Sequence, residues 1–274
     1  MGGKRVKVLV LAGNGINCEY ETAHAFRLAG AEAEIVYLYD LLWGEKRLDD
    51  YHILCFPGGF LDGDDLGAAK ACANRFRYAR VKSTGERLWD QLMRFIGEGK
   101  LVIGICNGFQ LLVKMGLIPA LGGRYGEQQA SLTFNDSGRF EDRWVPLLVN
   151  ERSPCVFTRG IQRLYLPVRH GEGKFVTGDR KVLEELFEGQ QVVLRYADPD
   201  YNPTMQYPFN PNGSEGAVAG ICDSTGRIFG LMPHPEAFHH FTNHPRWRRE
   251  PLPEMGQGVE VFRRGVEFAR ENLL

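Results

Sequence analysis

The sequence lacks several features that would assign a protein to a class at once. Within its 274 residues, no apolar run approaches the roughly 18 residues of a membrane span. The net charge of −1 gives no basic excess for binding nucleic acid or an anionic membrane surface. The six cysteines are too sparse for a disulfide scaffold, and no two stand at C-x-x-C spacing. We therefore expect a cytoplasmic protein that contacts neither nucleic acid nor a membrane.

Three further signals are missing. No internal repeat or low-complexity linker divides the chain. The apolar stretch before Gly13 is too short for a signal peptide and predicts a first strand instead. A G-x-x-x-x-G-K-[ST] phosphate loop is absent, so no nucleotide site is predicted in this chain.

What is present predicts an α/β protein. Hydrophobic residues make up 43% of the chain, enough for one large core or for two smaller ones. In the first half, buried strands alternate with amphipathic helices, which is typical of a parallel sheet covered on both faces. The strands are expected at 6–11, 33–38, 53–56 and 101–105. One helix is expected to begin after Asn17 as its N-cap, and two further helices are expected at 88–96 and 109–115.

The second half has shorter strand candidates separated by glycine and proline turns, which predict antiparallel additions to the sheet. These candidates lie at 131–134, 144–149, 164–168, 192–196, 217–222 and 228–232. Residues 197–216 and 237–257 read as long irregular loops, which in compact domains are usually functional or form interfaces. A C-terminal amphipathic helix is expected over 259–273.

Cys106 stands in a Gly-x-Cys-x-Gly sequence between a strand and a helix. This arrangement is typical of a nucleophile elbow, in which small residues two positions away allow the strand and helix to approach each other. Gly104 and Gly108 supply those small residues, and the N-terminus of the following helix favours a thiolate. The alternative is a buried structural cysteine.

His234 is the candidate base for this thiol. It follows the strand 228–232, at an edge where α/β sheets place their sites, and Glu236 can hydrogen-bond and orient its ring. The other histidines of this region, His239, His240 and His244, read as a surface loop. A metal site there is disfavoured because no cysteine or acidic residue has ligand spacing, so we predict no metal in this chain.

An acyl-transfer site also needs an oxyanion hole. Gly58 and Gly59 follow the third strand, and paired glycines let backbone N–H groups turn toward a ligand. The candidate donors are the N–H of Gly59 or Phe60 and that of Asn107. Without the cysteine elbow, the same glycines would read as an ordinary turn.

Taken in order, these motifs resemble the class I, or triad, glutamine amidotransferases, and more closely the glutaminase subunits of phosphoribosylformylglycinamidine synthase. The resemblance extends from about residue 6 to 240 and includes further matching segments. The segments that carry it are 13–19, 57–59, 104–110, 134–140, 143–145, 169–173, 210–214 and 234–236.

The resemblance implies a single-domain, flavodoxin-like α/β fold over 1–274, with a C-terminal extension from about 241 to 274. It implies that L-glutamine is hydrolysed to glutamate and ammonia through a thioester on Cys106, with His234 as acid and base and Glu236 as its orienter. The ammonia would pass to a separate synthetase subunit, which converts formylglycinamide ribonucleotide (FGAR) to its amidine (FGAM) in de novo purine synthesis. ATP and magnesium would bind that partner, this chain would hold no cofactor, and a small third subunit would join the complex.

Several other polar residues have open roles. Gln110 could contact the glutamine substrate or be a solvated helix residue, and His170 could contact the substrate or a synthetase subunit. Asn135, Ser137 and Arg139 suit positioning of the site or the interface. Cys18 is a second thiol in a glycine-rich turn, but no elbow or base accompanies it.

One segment departs from the family pattern. The run Leu61–Asp62–Gly63–Asp64–Asp65–Leu66 stands where the family usually has serine, tyrosine, glycine and aspartate. The departure affects the expected contacts of this loop and does not affect the triad residues.

Three other functions compete with this interpretation. They are another triad amidotransferase that feeds ammonia to a different synthetase, a stand-alone elbow-cysteine hydrolase, and a non-catalytic subunit that retains the fold. The segments 134–140 and 169–173 disfavour the first, and the intact triad positions disfavour the last.

Overall fold

The computed structural model describes residues 5–63 and 67–274. Its strands are β1 Lys7–Ala12, β2 Glu32–Tyr37, β3 Ile53–Phe56, β4 Leu101–Ile105, β5 Ala130–Thr133, β6 Glu141–Val149, β7 Arg163–His170, β8 Lys174–Thr177, β9 Val192–Tyr196, β10 Val218–Cys222 and β11 Ile228–Leu231. Within the described ranges, nine strands form the main sheet in the order β2-β1-β3-β4-β11-β10-β9-β6-β7. The neighbours from β2 to β11 run parallel, and those from β11 to β7 pair antiparallel.

Helices cover both faces of this sheet. They are α1 Glu19–Leu28, α2 Leu38–Trp43, α3 Lys70–Tyr78, α4 Leu88–Gly97, α5 Asn107–Lys114, α6 Arg180–Glu188 and α7 Gly258–Asn272. Helix α1 packs on α7, whereas α3 packs on α4 and α5. Right-handed crossovers put these two groups on opposite faces, because the chain moves from β1 toward one edge and from β3 toward the other. The buried apolar side chains between the layers form one continuous cluster.

The sequence anticipated much of this architecture. Strands β3, β4 and β9 match the expected bounds residue for residue, and the other main strands differ by a few residues at their ends. The antiparallel additions are confirmed, except that β5 pairs with β8 in a separate two-stranded sheet. The expected Asn17 cap is wrong: Cys18 is the N-cap residue of α1, and no side chain caps that end.

The C-terminal helix belongs to the packed body of the molecule. Phe262 of α7 is fully buried and meets Phe26 of α1 edge to face, with 4.8 Å between ring centroids. An edge-to-face pair of this kind adds to the burial of two large rings. Among the described residues, no helix is long and apolar enough to cross a membrane.

The sheet has a topological switch point between β1 and β3. From this pair, the chain proceeds to β2 on one side and to β4 on the other. Ligands of open α/β sheets bind in the crevice outside the carboxyl ends of the strands at such a point. The segments that follow β1, β3, β4 and β11 therefore meet at one edge of the sheet.

Helix α5 approaches the sheet so closely that it needs a residue without a side chain. A Cβ atom on Gly108 would lie 1.9 Å from the carbonyl oxygen of Phe56 at the end of β3. This contact involves backbone and cannot be relieved by a rotamer change. Gly108 thus sets the distance between α5 and the strand that precedes the predicted oxyanion turn.

We expect Gly108→Ala to destabilise the protein by about 1–3 kcal/mol or more, because the methyl group forces α5 away from β3. Gly97→Ala is the matched control. Gly97 ends α4, has no atom within 4 Å of its would-be Cβ, and does not have a positive φ. Urea denaturation of both variants measures the difference, and equal midpoints for the two would contradict the packing argument.

Candidate active site

Cys106 lies on a strained turn between β4 and α5. Its φ of 51° and ψ of −104° are unusual for a residue with a side chain. Such conformations cost on the order of 1–3 kcal/mol and persist where the surroundings enforce them. Here Gly104 and Gly108 do so, since a Cβ on Gly104 would lie 2.5 Å from the Gly108 carbonyl oxygen. The result is the elbow that the sequence predicted, with the thiol raised above the sheet edge.

His234 and Glu236 form a buried pair just after β11. Their Nδ1 and Oε1 atoms are 2.5 Å apart, and each residue is no more than 2% exposed. The backbone N–H of His234 also donates to the Pro167 carbonyl oxygen at 2.8 Å, which anchors the turn on β7. A carboxylate at Nδ1 leaves Nε2 as the nitrogen that can exchange a proton with a substrate.

The surroundings of His234 favour its charged form. Burial alone would lower its pKa, but the Glu236 carboxylate and the Cys106 and Cys18 thiols outweigh burial and hold the pKa of His234 well above its ordinary value. An imidazolium beside a thiol is the arrangement in which a cysteine works as a nucleophile.

No hydrogen bond joins Cys106, the predicted nucleophile, to Nε2 of His234, the predicted base. The Cys106 thiol donates to the carbonyl oxygen of Arg169 at 3.6 Å, and His234 Nε2 is buried with no partner among the described residues. Both side chains line the same cavity. Catalytic hydrogen bonds often tighten only when a substrate binds, so the open pair is compatible with the predicted roles of both residues.

The geometry of the turn after β3 reduces the number of candidate N–H donors for the oxyanion hole. The N–H of Phe60 is a wrong prediction, because it already donates to the Gly15 carbonyl oxygen at 2.7 Å. Gly59, with a φ of 143°, has no room for a side chain beside Gly15, and its own N–H is the remaining candidate on this turn. The N–H of Asn107 at the start of α5 is the second candidate.

Gly58 is required for a different reason. A Cβ atom there would lie 2.7 Å from Cε1 of His234 and 3.2 Å from Sγ of Cys18. The turn after β3 therefore packs directly on the edge of the imidazole ring. Gly58 thus helps to hold the His234 ring in place, and its part in an oxyanion hole stays a prediction.

Gln110 is a structural link and not a solvated helix residue. It is 4% exposed, and its Nε2 donates to the carbonyl oxygen of Glu172 at 2.6 Å. Its Oε1 accepts from Asn107 Nδ2 at 3.0 Å, and Asn107 Oδ1 accepts from the backbone of Leu61 at 3.1 Å. This chain of bonds ties α5 to the turn after β3 and to the segment after β7.

His170 lies in the wall of the cavity at the end of β7. It is 2% exposed, and its Nδ1 is 3.1 Å from Asn135 Oδ1, while Nε2 is buried with no partner in the described part of the chain. Burial, followed by the charge of His234, lowers its pKa to about 3, so the ring is neutral near pH 7. Its ring lines the cavity that Cys106 and His234 also line, and contact with the substrate stays a prediction.

The cavity has a volume of about 650 Å³ and opens at the carboxyl edge of the sheet. Its lining residues are Asn17, Cys18, Glu21, Gly59, Phe60, Cys106, Gln110, Phe134, Phe140, Arg169, His170, Gly171, Glu172 and His234. Three of them, Phe60, Phe134 and Phe140, are apolar and exposed. A second cavity of about 500 Å³ lies between the two long loops of the second half.

Cys18 lies closer to the site than the sequence indicated. One ligand atom each from Cys18, His234 and Glu236 lies within 4.8 Å of the other two. The available signal was its position directly after the glycine-rich turn that follows β1, at the switch point of the sheet. The sequence around Cys18 contains no elbow and no base, because the imidazole beside it belongs to His234, which is distant in the chain.

The prediction that His239, His240 and His244 lie in a surface loop needs correction. His244 is not a surface residue: it is 4% exposed and its ring packs among Trp144, Tyr165 and Phe238. His240 is half-buried, and its Nδ1 hydrogen-bonds the Thr242 hydroxyl at 2.8 Å.

The unusual loop after Phe60 is partly described. Leu61 is buried, and Asp62 forms an ion pair with Arg75 at 3.2 Å. Residues 64–66 lie outside the described residues.

Comparison with known proteins agrees with this arrangement. Residues 5–269 match the family model of the CobB/CobQ-like glutamine amidotransferase domain, so the chain belongs to this family of glutamine amidotransferases. It is similar to phosphoribosylformylglycinamidine synthase subunit PurQ of Dehalococcoides mccartyi, with 48% identity over 267 residues that cover 97% of this chain and 99% of the relative. PurQ of Methanococcus maripaludis strain S2 is 45% identical over 273 residues, covering 96% and 97%.

A solved structure is also similar. A chain in the structure of PurLQS from Thermotoga maritima matches with a TM-score of 0.70 and 28% identity, covering 97% of this chain and 99% of that one. Within the amidotransferases, the chain belongs to the PurQ subunits of phosphoribosylformylglycinamidine synthase. The resemblance inferred from the motifs is confirmed.

We expect Glu236→Gln to lower the pKa of His234, because the carboxylate that stabilises the imidazolium is removed. In the native protein the raised pKa keeps the ring protonated as the pH rises through neutrality, whereas in the variant the proton is lost at lower pH. NMR titration of the histidine side chains measures this shift. His170 is the internal reference, since burial is the main cause that lowers its pKa, to about 3 in the native protein, and Glu236→Gln does not change that burial. An unchanged His234 midpoint would show that Glu236 does not set its charge.

Proposed function

We propose that this chain is the glutaminase subunit of phosphoribosylformylglycinamidine synthase and hydrolyses L-glutamine to glutamate and ammonia. The observation that carries the proposal is the strained Cys106 elbow, which shares a cavity with the buried His234–Glu236 pair. Membership of the PurQ subunits supports glutamine as the substrate and purine synthesis as the pathway.

The proposed chemistry uses Cys106 as the nucleophile. Its thiolate attacks the side-chain carbonyl carbon of glutamine, and the resulting oxyanion is stabilised by the backbone N–H groups of Gly59 and Asn107. His234 gives a proton to the leaving nitrogen, the C–N bond breaks, and ammonia departs from a γ-glutamyl thioester. His234 then takes a proton from water, the hydroxide attacks the thioester, and glutamate and the thiolate are released.

Other cavity residues suit recognition of the substrate's amino-acid group. Arg169 offers a positive charge for the α-carboxylate, and Glu21 and Glu172 offer negative charges for the α-ammonium. The neutral His170 ring can donate or accept one hydrogen bond without adding charge. These are the groups a zwitterionic amino acid requires.

The ammonia is proposed to pass to a separate synthetase subunit, which uses ATP and magnesium to convert FGAR to FGAM. A small third subunit is proposed to complete the assembly in the cytoplasm. The similarity to a chain of PurLQS supports the association, and the six free cysteines are compatible with a reducing compartment.

We expect Cys106→Ala, assayed with the synthetase subunits, ATP and FGAR, to lower glutamine-dependent FGAM formation by roughly 10³-fold or more, because the nucleophile is lost. FGAM formation from added ammonia should persist. Cys72→Ala, a change at a buried cysteine of α3 outside the cavity, is the matched control and should keep glutamine-dependent activity.

Full glutaminase activity in Cys106→Ala would contradict the assignment of the nucleophile. Hydrolysis of peptides or esters by the native chain, with none of glutamine, would favour a stand-alone hydrolase instead.

The synthetase is proposed to dock over the mouth of the cavity, since ammonia must leave there without escaping to solvent. Phe134 and Phe140 are 70% and 57% exposed at this mouth, and exposed aromatic side chains are typical anchors of interfaces. We expect Phe134→Asp or Phe140→Asp to weaken binding of the synthetase about tenfold or more.

Tyr78→Asp is the matched control for these variants, because Tyr78 is equally exposed but lies at the end of α3 and does not line the cavity. Binding is measured by titration of the labelled chain with the synthetase. Equal loss in all three variants, or no loss in any, would place the interface elsewhere.

A further inference from the structure

Cys18 brings a second thiol to the catalytic base. One ligand atom each from Cys18, His234 and Glu236 lies within 4.8 Å of the other two, and all three residues are buried. The proposed glutaminase chemistry uses the histidine and the glutamate but has no step for this thiol. The cluster therefore contains one reactive group more than the reaction needs.

One polar atom of the cluster is unpartnered. Glu236 Oε2 is buried and has no hydrogen-bond partner among the residues that the structure describes. Buried polar atoms without partners are uncommon and call for a specific explanation. Cys18 and His234 also line the cavity that opens to solvent, so a small ion can reach them.

The ligand types fit a soft divalent cation. Thiolate, imidazole and carboxylate are the donors that zinc and its heavier analogue cadmium bind in proteins. The edges of a tetrahedral zinc site are roughly 3.6 Å for metal–ligand bonds of 2.0–2.3 Å. No two donor atoms of the cluster are more than 4.8 Å apart, and His234 Nδ1 and Glu236 Oε1, now 2.5 Å apart, have to separate by about 1 Å to admit a cation between them.

We propose that Cys18, His234 and Glu236 form a binding site for a divalent cation of the zinc and cadmium class, and that its occupation inhibits the enzyme. The cation takes one donor atom from each side chain, with Nδ1 as the donor of His234. It displaces the proton of the Cys18 thiol and the proton held between Nδ1 and Oε1, and both protons leave to solvent. Binding depends only on these three residues. Inhibition also rests on the proposed function, because a cation on Nδ1 takes the place of the Glu236 carboxylate beside the ring and lowers the affinity of Nε2 for a proton.

Cadmium is the suitable probe, since a cadmium–thiolate bond produces an ultraviolet charge-transfer band that needs no activity assay. The intact protein is titrated with Cd²⁺ in the absence of glutamine. We expect one site with this band in the native chain and in Cys106→Ala, because the nucleophile is not a ligand. Cys18→Ala and Cys18→Ser should bind at least tenfold more weakly and lose the band, whereas Cys72→Ala should bind as the native chain does.

Cd²⁺ binding is measured for both Cys18 variants, so that a folding defect in one of them does not decide the result. Native-like binding in a folded Cys18→Ser or Cys18→Ala protein would overturn the proposal. Loss of the band in Cys106→Ala but not in the Cys18 variants would also overturn it, because the metal would then sit on the nucleophile. A chain that binds Cd²⁺ through Cys18 but releases no glutamate from glutamine would instead contradict the proposed function.

Discussion

The constraint on which the site depends is the close approach of β3, β4 and α5 around Cys106. Gly104 and Gly108 allow backbone atoms to meet where any side chain would collide with them. That approach holds Cys106 at a positive φ and turns its thiol toward the carboxyl edge of the sheet. The same contact places the N-terminus of α5 opposite the turn after β3. The proposed nucleophile and the two candidate oxyanion donors are therefore positioned together.

Charge in this cavity is arranged around one histidine. Glu236 and two thiols favour the protonated form of His234, whereas His170 is kept neutral by burial and by the charge of His234. Two histidines in one cavity thus have opposite protonation states near pH 7. One can act as an acid toward the leaving nitrogen, and the other can hydrogen-bond the substrate without competing for the proton.

The parts of this arrangement that sequence could predict are those fixed by local pattern. Strand-forming runs such as 53–56 and 101–105 are bounded by glycine and proline, and the elbow follows from Gly104 and Gly108 alone. What sequence could not predict depends on contacts between distant segments. The N–H of Phe60 is taken by Gly15, and the burial of Gln110 depends on Glu172.

Cys18 shows the same limit most clearly. Cys18 stands 216 positions before His234 in the chain. Yet a Cβ atom built on Gly58 would lie 3.2 Å from Sγ of Cys18 and 2.7 Å from Cε1 of His234. Only the parallel pairing of β1 with β3, and of β4 with β11, brings these segments to one point. A residue's spacing within its own motif carries no information about such neighbours.

The central claim is that Cys106, and not its neighbour Cys18, forms the covalent intermediate. Rapid acid quenching of the enzyme during turnover of glutamine, followed by mass spectrometry of its peptides, tests this directly. The account predicts one γ-glutamyl group on the peptide that contains Cys106. The same group on the peptide that contains Cys18, or turnover with no glutamyl group on any cysteine, would contradict it.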